Sequence, residues 1–272
     1  MTKKYRNNVI VKEKEILKKY NKNIFQIYEI FEMTNYTNYP KIIEYDERNI
    51  KYEKIEEIKF HEKTKGEELI KTVALLHEKT LEYKEVELNK YNKINKMIKN
   101  NINYLKKYYN EMIEEIENQI YMSPSNYLIA RNYSMIINSL EYAQTTLKKW
   151  YKIVENKTSE RVCVIHNNLK QSHFIKSNEN YLISFDGARV DTPILDLYKL
   201  YKNESLNLNF NLLFEIYNNN FQLLEEEKLL FFTLISIPTK IIKTNNEYAD
   251  TYNINNIFKY IYKTTIFINK NK

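Results

Sequence analysis

The spacing of apolar residues changes several times along the chain, and each change predicts an element. Residues 9–20 (VIVKEKEILKKY) put Val9, Ile16, Leu17 and Tyr20 on one side of a short helix. In residues 41–55, Ile43 and Tyr45 alternate with polar neighbours, Asp46-Glu47-Arg48-Asn49 supplies a turn, and Ile50, Tyr52 and Ile55 follow. That pattern predicts a β-hairpin. Residues 66–80 return to helical spacing through Leu69, Val73, Leu76 and Thr80. The most regular stripe runs Ile94, Met97, Ile98, Ile102, Leu105, Tyr109, Met112, Ile113, Ile116 and Ile120. It predicts one helix of roughly eight or nine turns at 3.6 residues per turn. Ser123-Pro124 then offers an N-cap and a proline in the opening helical position. A second long helix follows, carrying Tyr127, Leu128, Met135, Ile136, Leu140, Ala143, Leu147, Trp150 and Val154. The short connection makes the pair an antiparallel hairpin. Residues 161–186 read as strands (RVCVI, HFI and YLISF), and 194–270 are helical again. No internal repeat is visible.

Composition narrows the class. The chain has 272 residues, only two Gly and four Pro, which excludes collagen-like, flexible-linker and proline-rich proteins. A single cysteine, Cys163, excludes a disulfide framework and a multi-cysteine metal site, and fits a reducing interior. It sits among Val162 and Val164, so a buried inert thiol is expected. The net charge of +7 is basic but scattered among acids. The opening MTKKYRNN lacks the apolar core of a signal peptide. The longest uncharged apolar run, residues 229–238, is about half a membrane span. Together these predict a soluble cytoplasmic protein. Tyrosine is abundant at 25 residues, but it is spread through helical stripes, so core packing is expected before base stacking.

The segment VCVIHNNLKQSHFIKSNENYLISFDGARVDTPILDLYKLY, residues 162–201, resembles the catalytic core of aminoglycoside phosphotransferases and choline kinases. It looks especially like the spore-coat CotS branch of that superfamily. The family pattern is His-x-Asp-Leu, an Asn further on, a strand ending Ile-Asp-aromatic-acid, then Pro and Asp-Leu. His166, Leu169, Ile183, Phe185, Asp186, Pro193, Asp196 and Leu197 match it. The resemblance implies a protein-kinase-like fold, with residues 1–60 as a reduced N-terminal lobe bearing the hairpin and 61–272 as a helical C-terminal lobe. It also implies a scaffold role in the catalytic loop for His166 and for Asp196, and allows a spore-coat location.

The departures fall on the chemistry. Asn168 stands at the position of the catalytic aspartate, and His173 at that of the metal-binding asparagine. Ser184 lies nine residues before Pro193 and twelve before Asp196, the spacing of the family's metal aspartate, so Asp186 falls on the acid two residues later. An amide cannot accept the hydroxyl proton as a carboxylate does, and loss of a general base costs on the order of 10²–10⁴ in rate. Magnesium wants anionic oxygen in octahedral geometry, which a hydroxyl and an imidazole do not supply. Asp186 could rebuild a metal site from the strand face it would share with Ser184.

On the nucleotide side, Glu13 resembles the helix glutamate that pairs with the nucleotide-gripping lysine. Only twelve residues precede it, too few for three strands, and Lys3, Lys4 and Lys12 have no strand context. His61 and His77 lack partners at ligand spacing and read as ordinary residues. Three functions follow in order. The first is a non-catalytic, pseudokinase-like binder of a partner or small ligand, with no cofactor. The second is an active phosphotransferase using ATP and magnesium on an alcohol through a rerouted Asp186 site. The third is a basic protein binding nucleic acid or an anionic surface. A last expectation comes from charge. Lys93 and Lys149 are almost equally far from the hairpin turn, so lysines gather at one tip, where an acidic partner could dock.

Overall fold

A computed structural model describes residues 3–5, 9–11, 15–19, 23–47, 49–58, 62–244 and 246–272. The chain divides into two compact units. One comprises residues 1–84, 161–200 and 212–222, and the other 85–160, 201–211 and 223–272.

The first unit opens with β1 (Lys3–Tyr5), β2 (Val9–Val11) and β3 (Glu15–Lys19), followed by helix α1 (Asn23–Met33). β4 (Ile42–Tyr45) and β5 (Asn49–Glu53) complete an antiparallel sheet of order β1-β2-β3-β5-β4. The hairpin expected over 41–55 is the β4–β5 pair, and its Asp46 carboxylate accepts from the Asn49 amide at 2.8 Å. The helix expected over 9–20 is not formed. The β-branched run Val9-Ile10-Val11 pairs with β1, and β3 pairs residue for residue with β5, Ile16 opposite Tyr52 and Lys18 opposite Ile50. Cross-strand pairing of this kind overrides a sparse helical period in so short a segment. Three strands therefore precede the first helix, the third beginning at Glu15, beyond the twelve residues that the sequence reading allowed for them. The helical signal lies further on, where Ile24, Ile27, Tyr28 and Phe31 bury one face of α1. Glu13 lies outside the described residues, as does His61.

Helix α2 (Glu62–Lys79) buries Leu69, Ile70, Val73 and Leu76. After β6 (Glu82–Glu85) and the excursion into the second unit, β7 (Ser159–Ile165) returns. It pairs antiparallel with β10 (Arg189–Asp191), and a small ribbon of β8 (Phe174–Lys176) and β9 (Asn180–Leu182) lies between them in sequence. Cys163 is buried in β7. The unit closes with much of α5 (Ile194–Glu204) and α6 (Phe210–Asn220).

The second unit is built on the helical hairpin α3 (Lys90–Glu117) and α4 (Pro124–Val154), with α7 (Glu225–Ser236) and α8 (Glu247–Asn271) packed on α4. Ser123 caps α4, accepting from the Asn126 amide, and Pro124 begins it. Ile98, Ile102, Leu105, Tyr109, Ile113 and Ile116 form the buried stripe of α3, whereas Met97 and Ile120 of the expected stripe are exposed. Lys106 donates to Gln144 at 2.8 Å, and the rings of Tyr91 and Trp150 meet at 5.9 Å, so the hairpin is antiparallel. The start of α3 and the end of α4 share one tip. Acids are interleaved there: Lys90 pairs with Glu160 at 2.5 Å and Lys157 with Glu226. Tyrosine packs the cores of both units, with Tyr36, Tyr109, Tyr201 and Tyr217 fully buried. Among the described residues no helix is long and apolar enough to cross a membrane.

Candidate functional site

The loop that follows β7 is organised by one buried carboxylate. Asp196, in the first turn of α5, accepts the backbone N–H of His166 through Oδ2 and that of Asn167 through Oδ1, both at 2.7 Å. His77 on α2 places Nε2 3.2 Å from the same Oδ2, and its Nδ1 lies 2.6 Å from the Tyr217 hydroxyl on α6. Since a carboxylate only accepts, His77 donates from Nε2. His77, read from sequence as ordinary, is thus fully buried and ties α2, α5 and α6 to the loop. Nothing in its sequence surroundings announces a partner 119 positions away.

His166 ties the loop to the segment after β9. Its Nδ1 accepts from the Asn168 amide at 3.3 Å, so Nε2–H donates to the Ile183 carbonyl at 2.8 Å. Burial holds this imidazole below the usual histidine range, against the pull of Asp196. Asn167 takes a left-handed conformation (φ 60°), which asparagine tolerates, and Lys199 on α5 donates to its carbonyl at 2.6 Å.

The three positions that depart from the resemblance, Asn168, His173 and Ser184, come together here. His173 donates from Nδ1 to the Asn168 carbonyl at 2.7 Å, and its ring lies 5.5 Å from that of His166. Burial also pushes the His173 imidazole down. Its carbonyl accepts from the Ile183 amide at 2.9 Å, which brings in Ser184 next door. Ser184 has φ 69° and ψ 51°, and Phe185–Gly187 form a single 3-10 turn. The strand ends at Leu182. Asp186 and Ser184 therefore do not share a strand face, because the left-handed residue turns the chain between them.

Asp186 meets a cation that was missed in the sequence. Lys18, on β3, forms an ion pair with its carboxylate. Reading residues 9–20 as a helix hid Lys18, while the alternation Ile16/Lys18 directly before α1 was the available signal. Lys18 lies on β3, the strand that follows the β1–β2 pair. The following helix turns Tyr28, not a glutamate, toward the same space. A cavity of about 230 Å³ lies there, lined by Ile16, Lys18, Tyr28, Tyr52, Ile183 and Asp186 among others. Burial pushes the Tyr28 and Tyr52 phenols above their ordinary range, and the Asp186 charge adds to both shifts.

The donor set does not fit magnesium. It offers one carboxylate already held by Lys18, the Ser184 hydroxyl, the His173 imidazole and the Asn168 amide, where magnesium favours several anionic oxygens. Among the described residues, no three His, Cys, Asp or Glu side chains are grouped to hold a metal ion.

No family model and no curated protein matches the sequence. Solved structures do. An aminoglycoside phosphotransferase from Alicyclobacillus acidocaldarius aligns with TM-score 0.69 at 10% identity, over 99% of this chain and 88% of its own. A spectinomycin phosphotransferase, APH(9)-Ia bound to AMP, aligns with TM-score 0.51 at 12% identity, over 96% of this chain and 92% of its own. The choline kinase LicA of Streptococcus pneumoniae follows at TM-score 0.47 and 15% identity, over 99% and 92%, a likeness too loose to build on. With a five-stranded antiparallel sheet that has α1 inserted between β3 and β4, the Asp196-held loop and the mainly helical remainder, the chain has the protein-kinase-like fold found in aminoglycoside phosphotransferases.

Proposed function

We propose that this protein is a non-catalytic kinase-fold binder, in which the cavity beside Lys18 receives a small ligand and no phosphoryl group is transferred. The observation that carries this reading is the Lys18–Asp186 ion pair. It engages Asp186, the acid two residues beyond Ser184, while Asn168, His173 and Ser184 stand at the three departing positions. Phosphoryl transfer relies on metal charge and a positioned hydroxyl more than on covalent help from the protein. With an amide, an imidazole and a hydroxyl at those positions, both supports are weak. The scaffold persists without the chemistry: Asp196, His166 and His77 hold the loop in place. By the resemblance of residues 162–201, we place the protein nearest the CotS-like branch, in the cytoplasm or spore coat.

The cavity sets the ligand's character. Isoleucine and proline walls, two phenols, the Glu53 side chain and one ion pair suit a compact molecule with an apolar body and one polar end. A specific observation also favours the second reading, an active phosphotransferase on an alcohol. Lys18 supplies on β3 the cation that sequence reasoning held to be missing. The Lys93/Lys149 tip is the weaker candidate for an acidic partner, since Glu160 and Glu226 already supply acid at that end.

The test combines turnover and binding. Labelled ATP with magnesium should give no transfer to aminoglycosides or choline, and ATP should not raise the melting temperature more with magnesium than without. Turnover that disappears in Asp186→Ala would overturn the proposal and establish the second reading.

A further inference from the structure

The helical unit carries a second, larger concavity of about 640 Å³, formed by the end of α5 and the residues after it together with α8. Its charged lining is one-sided. Among the described residues, Lys202, Lys259 and Lys263 face it, and no aspartate or glutamate does. Among the described residues, none of the three lysines has a carboxylate within ion-pair distance.

Two of these ammonium groups are nonetheless fixed in place. Lys202 donates to the Ile237 carbonyl at 3.0 Å and lies 4.8 Å from the centre of the Tyr260 ring. Lys263 donates to the Leu206 carbonyl at 2.8 Å, in the chain just beyond α5. Carbonyls and a ring orient these cations without cancelling their charge, and each ammonium keeps protons to give. On α8, Tyr252, Asn256, Lys259 and Lys263 recur at four, three and four residues, so they form one face of the helix. Burial pushes the Lys202 ammonium down to about 8, the response of a cation lacking a counter-charge.

We propose that this concavity is a binding site for a small phosphorylated molecule. Its volume falls within the range of small-molecule sites, about 300–1,000 Å³. Phosphate rather than carboxylate is favoured by the donors present. Separate lysine point charges share the lining with the side-chain amides of Asn203, Asn256 and Asn207, the last donating to Glu204 at 3.4 Å, while among the described residues no arginine there offers the planar fork that matches a carboxylate. Tyr252, exposed at the rim, supplies a ring for the organic part. The site is lined by residues of the second unit, whereas the cavity beside Lys18 is lined by residues of the first.

Calorimetric titration of the full chain with glycerol 2-phosphate and with citrate tests this. Glycerol 2-phosphate should bind and citrate should bind at least about tenfold more weakly. Lys259→Glu reverses an exposed charge that holds no other contact noted above, so the fold should survive, as checked by circular dichroism. It should weaken glycerol 2-phosphate about tenfold or more, whereas Lys18→Ala should leave that affinity unchanged. No binding of glycerol 2-phosphate, equal or tighter binding of citrate, indifference to Lys259→Glu, or loss in Lys18→Ala would each overturn the proposal.

Discussion

Replacing Asp196 by alanine tests the central claim about the scaffold, that one carboxylate fixes the loop after β7. The side chain is fully buried and accepts three donors: the His166 and Asn167 amides at 2.7 Å and His77 Nε2 at 3.2 Å. Its truncation leaves two backbone N–H groups and one imidazole without their acceptor. Each buried donor left unsatisfied costs about 1–3 kcal/mol. Water entering the small void recovers part of that, so a total loss of about 3–5 kcal/mol is expected. For a chain whose stability is on the order of 5–15 kcal/mol, that is a large fraction. Urea unfolding followed by tyrosine and tryptophan fluorescence measures the loss, and amide hydrogen exchange at His166 and Asn167 locates it. Asp196→Asn should fall between wild type and alanine, because its carbonyl keeps one donor while its NH₂ opposes another. A loss below about 1 kcal/mol in the alanine variant, or unchanged exchange at both amides, would refute the account.

Ser184→Gly should stabilise the protein by about 0.5–1 kcal/mol, because a non-glycine residue at φ 69° carries left-handed strain; a destabilised variant would show that the serine hydroxyl matters more than the backbone. Lys202 gives a pH signature. Its folded value, about 8 against 10.5 unfolded, means that the unfolded chain holds more protons between those limits, so this group adds stability as pH rises from about 8 to 10.5. Relative to Lys202→Met, the wild type should gain up to about 3 kcal/mol across that window, measured as the difference between their chemical-denaturation midpoints; parallel profiles would refute it.

Much of the helical architecture was fixed by local sequence. The α3–α4 hairpin is legible because dense apolar stripes, the Ser123 cap and Pro124 all act within a few residues of one another. The kinase-like character of residues 162–201 was legible for a different reason: several fixed spacings around His166, Pro193 and Asp196 agree at once. Beyond that reach, tertiary structure decided. Residues 9–20 carry too few apolar positions to choose between helix and strand, and pairing of β3 with β5 chose for them. The same pairing put Lys18 beside Asp186, a contact across 168 positions that no local pattern encodes. His77 and Lys202 tell the same story, one given its carboxylate by the packing of α2 against the loop, the other left without one among the described residues. Local periodicity records which face of an element is buried, because that depends on neighbours within a turn or two. The environment of a charge depends on which distant element packs against it, and only the assembled chain determines that.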